Sequence, residues 1–145
     1  MARRRHCATR AAAIVLALVA MTPLARAAAA CAPSDLGCAI FNGQHPMAAH
    51  LRDDDRPLPA WTTRCVNCHV GTSKEAAFAP PLTRDSLLGV TSRRGGPISS
   101  YDETAFCRAV REGIDPASVL LRKSMPRYRI ADAECVALWR FVVGR

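Results

Sequence analysis

The sequence predicts an all-α domain of about three to five helices. Two segments give the clearest helical signals. Residues 100–103 (Ser-Tyr-Asp-Glu) form a capping box, and Gly113 marks where the helix that follows it stops. A second helix is predicted over about 132–143, where apolar residues recur at helical spacing and form one buried stripe. The stripe consists of Cys135, Leu138, Trp139 and Val142. No strand rich in valine or isoleucine flanks the cysteine pair near the middle of the chain.

The rest of the chain is expected to contain little regular structure. Residues 31–44 allow a short helical start. Residues 45–60 are predicted to be a solvated loop, because they contain three successive aspartates and a Pro-Leu-Pro break. Residues 71–97 are rich in Gly, Pro, Ser and Thr, which predicts loop with at most a short helix around 86–88. The 145 residues are enough for one domain.

The first 27 residues are typical of a secretory signal peptide. Residues 3–5 are all arginine, residues 11–20 are apolar, and residues 25–27 (Ala-Arg-Ala) form a cleavage site, with positions up to Ala30 as alternatives. The apolar run is short for a membrane span, so an uncleaved anchor is the weaker interpretation. We therefore expect export to the periplasm, a single domain over 28–145, and no membrane span after cleavage.

The net charge of the chain depends strongly on this segment. The formal charge is +8, but five of the 20 basic residues lie in the predicted signal peptide. Removing them leaves 15 basic against 12 acidic residues, or +3. A chain so mildly basic gives no indication of a nucleic-acid partner.

The most informative motif is Cys65-Val-Asn-Cys68-His69. C-x-x-C-H is the attachment signature of a c-type haem. Cysteines three apart can reach the two vinyl groups on one edge of a porphyrin, and the histidine that follows can bind iron from the proximal side. A thioredoxin-like pair would need a βαβ pattern around the motif, and a zinc site would need a second Cys/His pair downstream. Neither is present, and a single motif predicts one haem.

Four further cysteines remain once Cys7 leaves with the signal peptide. An even number in an exported protein suggests two disulfides, with three possible connectivities. We favour Cys31–Cys38, which would close a short loop, and Cys107–Cys135, which would join two helices. Buried free thiols are the alternative.

A six-coordinate c-haem also needs a distal ligand, usually Met or His. Residues 28–145 offer Met47, Met125, His45 and His50. Met125 is the strongest candidate, because Pro126 stiffens the segment that precedes the last helix. Its neutral thioether would favour ferrous iron and raise the potential. Met47 is interpreted as core packing, whereas ligation by either histidine would lower the potential.

These motifs resemble those of class I monohaem cytochromes c. The resemblance is carried by residues 65–69, by Ala79-Pro-Pro-Leu82, and by residues 124–128 (Ser-Met-Pro-Arg-Tyr) leading into the last helix, and it covers roughly 35–145. It implies a small fold of helices wrapped around one covalently bound haem c. It also implies that the carbonyl of Pro81 (or Pro80) accepts the ring N–H of His69, which would orient the imidazole. The insert, residues 42–64, departs from the family pattern.

The resemblance implies a periplasmic electron carrier that exchanges single electrons with redox partner proteins. No acid, base or nucleophile constellation stands out, so no catalytic residue is assigned and the chain is not expected to be an enzyme. One alternative is a haem c subunit of a periplasmic dehydrogenase or sulfur-compound oxidising complex. A ligand-binding sensor or peroxidase-like site is a further alternative, which would need an open distal face.

Overall fold

The computed structural model describes residues 31–69 and 78–144, and the predicted signal peptide lies outside these ranges. Four α-helices are present in them: α1 (Leu36–Asn42), α2 (Arg84–Leu88), α3 (Glu103–Glu112) and α4 (Asp132–Val143). A single 3₁₀ turn spans Cys65–Asn67. Within these ranges no helix has both the length and the apolar character needed to cross a membrane.

The prediction of an all-α fold is wrong, because the chain also forms two small antiparallel sheets. In the first, β1 (Ala48–His50) pairs with β4 (Arg127–Arg129). In the second, β2 (Thr91–Ser92) pairs with β3 (Ile98–Ser99). Strands of two or three residues are too short to show the alternation that identifies a strand in sequence. The fold is therefore mixed α and β, and β1 lies inside the insert.

The helix boundaries follow from local capping. Helix α3 is capped by Asp102 rather than Ser100: a carboxylate oxygen of Asp102 accepts the Ala105 N–H at 2.7 Å. It ends at Gly113, whose φ of 70° is the left-handed conformation that glycine adopts without strain. At the start of α4, a carboxylate oxygen of Glu134 accepts the Ala131 N–H at 2.8 Å.

The core lies where α1 and α3 pack against α4. Gly37 permits the close approach of α1, because a Cβ at this position would overlap Ala137 O and lie 2.6 Å from Phe141 Cβ. The almost fully buried side chains of Ile40, Leu138 and Val142 fill the contact.

Both disulfides favoured from the sequence are present in the structure. The N-terminal disulfide, Cys31–Cys38, closes the short segment that leads into α1. The α3–α4 disulfide, Cys107–Cys135, joins the two longest helices inside the core. With these four cysteines paired, Cys65 and Cys68 are the free thiols among the described residues.

Candidate functional site

The two free thiols stand at the ends of one tight turn. The N–H groups of Cys68 and His69 both donate to the Cys65 carbonyl, at 3.2 and 2.9 Å. Cys65 is buried and Cys68 is half-buried. The Asn67 side chain donates to the Trp61 carbonyl at 2.9 Å, which ties the turn to the end of the insert. The motif is thus held as a compact unit that presents two thiols and one imidazole.

His69 is held in one orientation and in one tautomer. Its ring Nδ1 lies 2.7 Å from the Pro80 carbonyl oxygen. A carbonyl can only accept, so Nδ1 must carry the proton and Nε2 must offer its lone pair. Nε2 is buried and has no hydrogen-bond partner among residues 31–69 and 78–144. Burial lowers the pKa of His69 more than the Pro80 bond raises it, so the ring is neutral, which is the form that binds metal.

The sequence resemblance implied Pro81 or Pro80 as the acceptor for His69; the acceptor is Pro80, and Pro81, the first choice, is not. The carbonyl of Pro81 instead accepts the Ser86 hydroxyl, which also belongs to the capping box that starts α2. The two neighbouring carbonyls therefore have different partners, and only that of Pro80 meets the imidazole. Sequence spacing cannot separate two adjacent prolines.

The electrostatics of Cys65 differ from those of the attacking cysteine in a redox-active pair. Burial raises the pKa of the Cys65 thiol to about 11, with a smaller rise from the neighbouring Cys68. Cysteines of redox-active C-x-x-C pairs have lowered pKa values and are attacking thiolates at neutral pH. The Cys65 thiol is neutral and shielded, which suits a structural attachment point better than thiol exchange.

Tyr128 links the motif to the segment that follows Met125. Its buried hydroxyl donates to the Thr63 carbonyl at 2.8 Å. Burial is the main cause that raises the pKa of Tyr128, and the proximity of Cys65 and Cys68 raises it further. The sequence did not predict this bond; the only indication was the position of Tyr128 three residues after Met125.

The candidate distal ligands have different surroundings. Met125 is half-buried against the core cluster, and its N–H donates to the Arg122 carbonyl at 3.0 Å. Met47 is a buried core residue, as the sequence interpretation expected. His45 already has a partner, because its Nε2 lies 2.6 Å from a Glu134 carboxylate oxygen. His50 lies in β1 and borders a small cavity.

The residues present fit a covalently bound haem. Two free thiols three residues apart precede a neutral histidine whose buried Nε2 has no protein partner in the described chain. Two exposed aromatic side chains, Trp61 and Phe78, flank the motif and are 68 and 73 % exposed. In the same residues no group of three or more His, Cys, Asp or Glu side chains is arranged to hold a bare metal ion.

Comparison with known proteins adds no relative to this picture. The chain matches no protein-family model, no curated protein and no solved structure.

Proposed function

We propose that this protein is an exported electron carrier of the class I cytochrome c type, with one haem c attached through Cys65 and Cys68. The observation that carries the proposal is His69. It directly follows two free thiols, its Nδ1 is fixed by Pro80, and its buried Nε2 has no protein partner in the described residues. A buried polar atom without a partner costs about 1–3 kcal/mol, so a neutral imidazole held in this way next to two free thiols supports a role for Nε2 as a metal ligand.

The haem would supply a one-electron Fe(III)/Fe(II) couple. The protein holds the ligands in one arrangement so that little moves when an electron arrives. Cys65 and Cys68 would fix one porphyrin edge to a tight turn. The Pro80 carbonyl holds the His69 proton on Nδ1, and this bond fixes the ring orientation and makes the imidazole more basic.

Met125 is proposed as the distal ligand. Its segment is fastened before and after the methionine: the Leu121 N–H donates to the Gly113 carbonyl at 2.7 Å, and residues 127–129 form β4. A fixed segment suits a ligand that must stay bound in both redox states. The alternative ligand His45 would first have to leave Glu134.

A second candidate is an electron-transfer subunit of a periplasmic dehydrogenase or sulfur-compound oxidising complex. Exposed apolar side chains around the β2–β3 hairpin favour it, because a subunit needs an apolar surface for its partner. Val90 and Ile98 are 75 and 72 % exposed. Both candidates use the same haem site.

Covalent attachment tests the proposal directly. The protein is expressed with the c-haem maturation machinery, and the intact mass is measured after denaturation. We expect the mass of the processed chain plus one haem. The Cys65→Ala and Cys68→Ala variants should each lose stable attachment, whereas a Cys31→Ser/Cys38→Ser control should keep it. A denatured wild-type chain without haem would refute the proposal.

A further inference from the structure

The insert, residues 42–64, contacts the chain on both sides of Met125. One contact lies at residues 121–123 and the other at β4, which begins two residues after Met125. Only residues 124–126 lie between these contacts. The insert is also the part of the chain that departs from the pattern implied by the sequence resemblance.

On the N-terminal side, the contact is made by Arg52. Its Nη1 donates to the Leu121 carbonyl at 3.1 Å, and only 26 % of its side chain is exposed. A hydrogen bond from a charged donor is stronger than a neutral one, and partial burial reduces its screening. Asp53 reinforces it: a carboxylate oxygen lies 3.6 Å from Arg52 Nε and 3.8 Å from Lys123 Nζ.

The backbone of the insert brings Arg52 to this position. Residues 51–54 form a tight turn in which the Asp54 N–H donates to the Leu51 carbonyl at 3.2 Å. Asp53 has a φ of 65°, a left-handed conformation that aspartate adopts more readily than most residues. The turn follows directly after β1, so the strand contact and the Arg52 contact are parts of one unit.

On the C-terminal side, the contact is the first sheet. β1 pairs with β4 in antiparallel register, with Ala49 opposite Tyr128. The Leu58 N–H donates to the Ala49 carbonyl at 2.8 Å, so the returning chain of the insert supports β1. At the end of the insert, Thr63 accepts the Tyr128 hydroxyl.

We infer that the insert is a brace for the segment bearing Met125, and that Arg52 is its principal positioning residue. The inference rests on the proposed function in that it takes Met125 as the ligand. Loss of a ligand requires its segment to swing away, and a short segment fixed at both ends has few conformations in which to do so. Removing the Arg52 bond leaves the Leu121 N–H bond to the Gly113 carbonyl as a backbone attachment on that side, so the segment is held more weakly and the open state becomes more accessible.

The test compares two arginines of the same insert in the haem-loaded full protein. Arg52→Met removes the donor to Leu121 and keeps most of the aliphatic stem. Arg56→Met is the matched control. Arg56 is 87 % exposed and pairs with Asp54 inside the insert. Its substitution therefore removes the same charge as Arg52→Met but breaks no contact with the segment that bears Met125. Two quantities are measured: hydrogen exchange of the Leu121 and Met125 amides, and the rate at which added imidazole displaces the distal ligand.

We expect Arg52→Met to raise both rates about tenfold, the factor that corresponds to ~1.4 kcal/mol and to one charge-assisted hydrogen bond. Arg56→Met should leave both within about twofold of the wild type. A second variant is Asp53→Asn, in which asparagine can adopt the same left-handed backbone conformation. It should raise the two rates by a smaller factor than Arg52→Met, since the ion pairs of Asp53 are exposed.

Equal effects of the two arginine variants on amide exchange would overturn the brace. Faster exchange with an unchanged imidazole rate would overturn the positioning role of Arg52. Failure of the proposed function has a different signature, namely a protein without haem, or an oxidised haem that lacks the weak far-red sulfur-to-iron band before any imidazole is added. In that case amide exchange alone would decide whether the insert braces residues 121–129.

Discussion

Removing the Tyr128 hydroxyl is the sharpest test of how the motif of residues 65–69 is held. Tyr128 is 5 % exposed, and its hydroxyl donates to the Thr63 carbonyl at 2.8 Å. Tyr128→Phe keeps the ring and its packing but leaves a buried carbonyl without its donor. A net hydrogen bond contributes about 1 kcal/mol, and an unsatisfied buried carbonyl costs about 1–3 kcal/mol. We therefore expect the free energy of unfolding to fall by about 1.5 kcal/mol.

The assay is urea unfolding of the haem-loaded protein, followed by far-UV circular dichroism. The slope of the unfolding free energy against urea concentration should stay constant while the midpoint concentration of urea falls, because the substitution changes only the stability. Tyr101→Phe is the matched control: Tyr101 is half-buried, its ring centroid lies 5.2 Å from the Arg93 guanidinium carbon, and among the described residues its hydroxyl has no hydrogen-bond partner. If Tyr128→Phe costs no more than Tyr101→Phe, the bond to Thr63 does not hold the motif and the reasoning fails.

Two further predictions concern stability away from the motif of residues 65–69. The hydrogen bond from the Ala131 N–H, and next the one with His45, lower the pKa of the Glu134 carboxyl group. Its contribution to the free energy of unfolding is therefore present above the ordinary pKa of glutamate and is lost as the pH falls through the lowered pKa. Glu134→Gln should thus cost about 0.5–1 kcal/mol of unfolding free energy at pH 7, and this cost should shrink steadily as the pH falls below the ordinary pKa of glutamate, as urea unfolding over a series of pH values would show; a cost that does not change with pH would contradict this account. Removing the α3–α4 disulfide by a double Cys→Ser change should lower the free energy of unfolding by about 3.5 kcal/mol, and removing the N-terminal disulfide should lower it by about 2.5 kcal/mol. The difference arises because the α3–α4 disulfide closes the longer loop, with a sequence separation of 28 residues against 7. Thermal unfolding of the two variants would measure the difference, and the reverse order would contradict it.

Helices α3 and α4 were predictable because their signals are local. α4 runs over Asp132–Val143, matching the expected range, and its apolar stripe alone indicates which face is buried. The helical stop at Gly113 was also confirmed. The N-cap was misplaced by two residues, because Ser100 and Asp102 are both good caps and the sequence does not decide between them.

The strands and the fine geometry of the site were not predictable in this way. β1 pairs with β4 across the 76 residues 51–126, and neither strand alternates long enough to be recognised in the sequence. The choice between Pro80 and Pro81, and the bond from Tyr128 to Thr63, depend on backbone directions in the folded chain. The motif itself is local, so its two free thiols and its imidazole are recognisable in the sequence, and their role in binding haem stays a prediction.

The visible spectrum of the oxidised protein, expressed with c-haem maturation, tests the central claim most directly. His69 and Met125 as axial ligands predict a low-spin haem with the weak far-red sulfur-to-iron band. Met125→Ala should abolish that band, and Met47→Ala, which changes a buried core methionine, should retain it. A low-spin haem without the band would assign a histidine as distal ligand, and a high-spin spectrum would mean an open iron. Either result would contradict His/Met ligation.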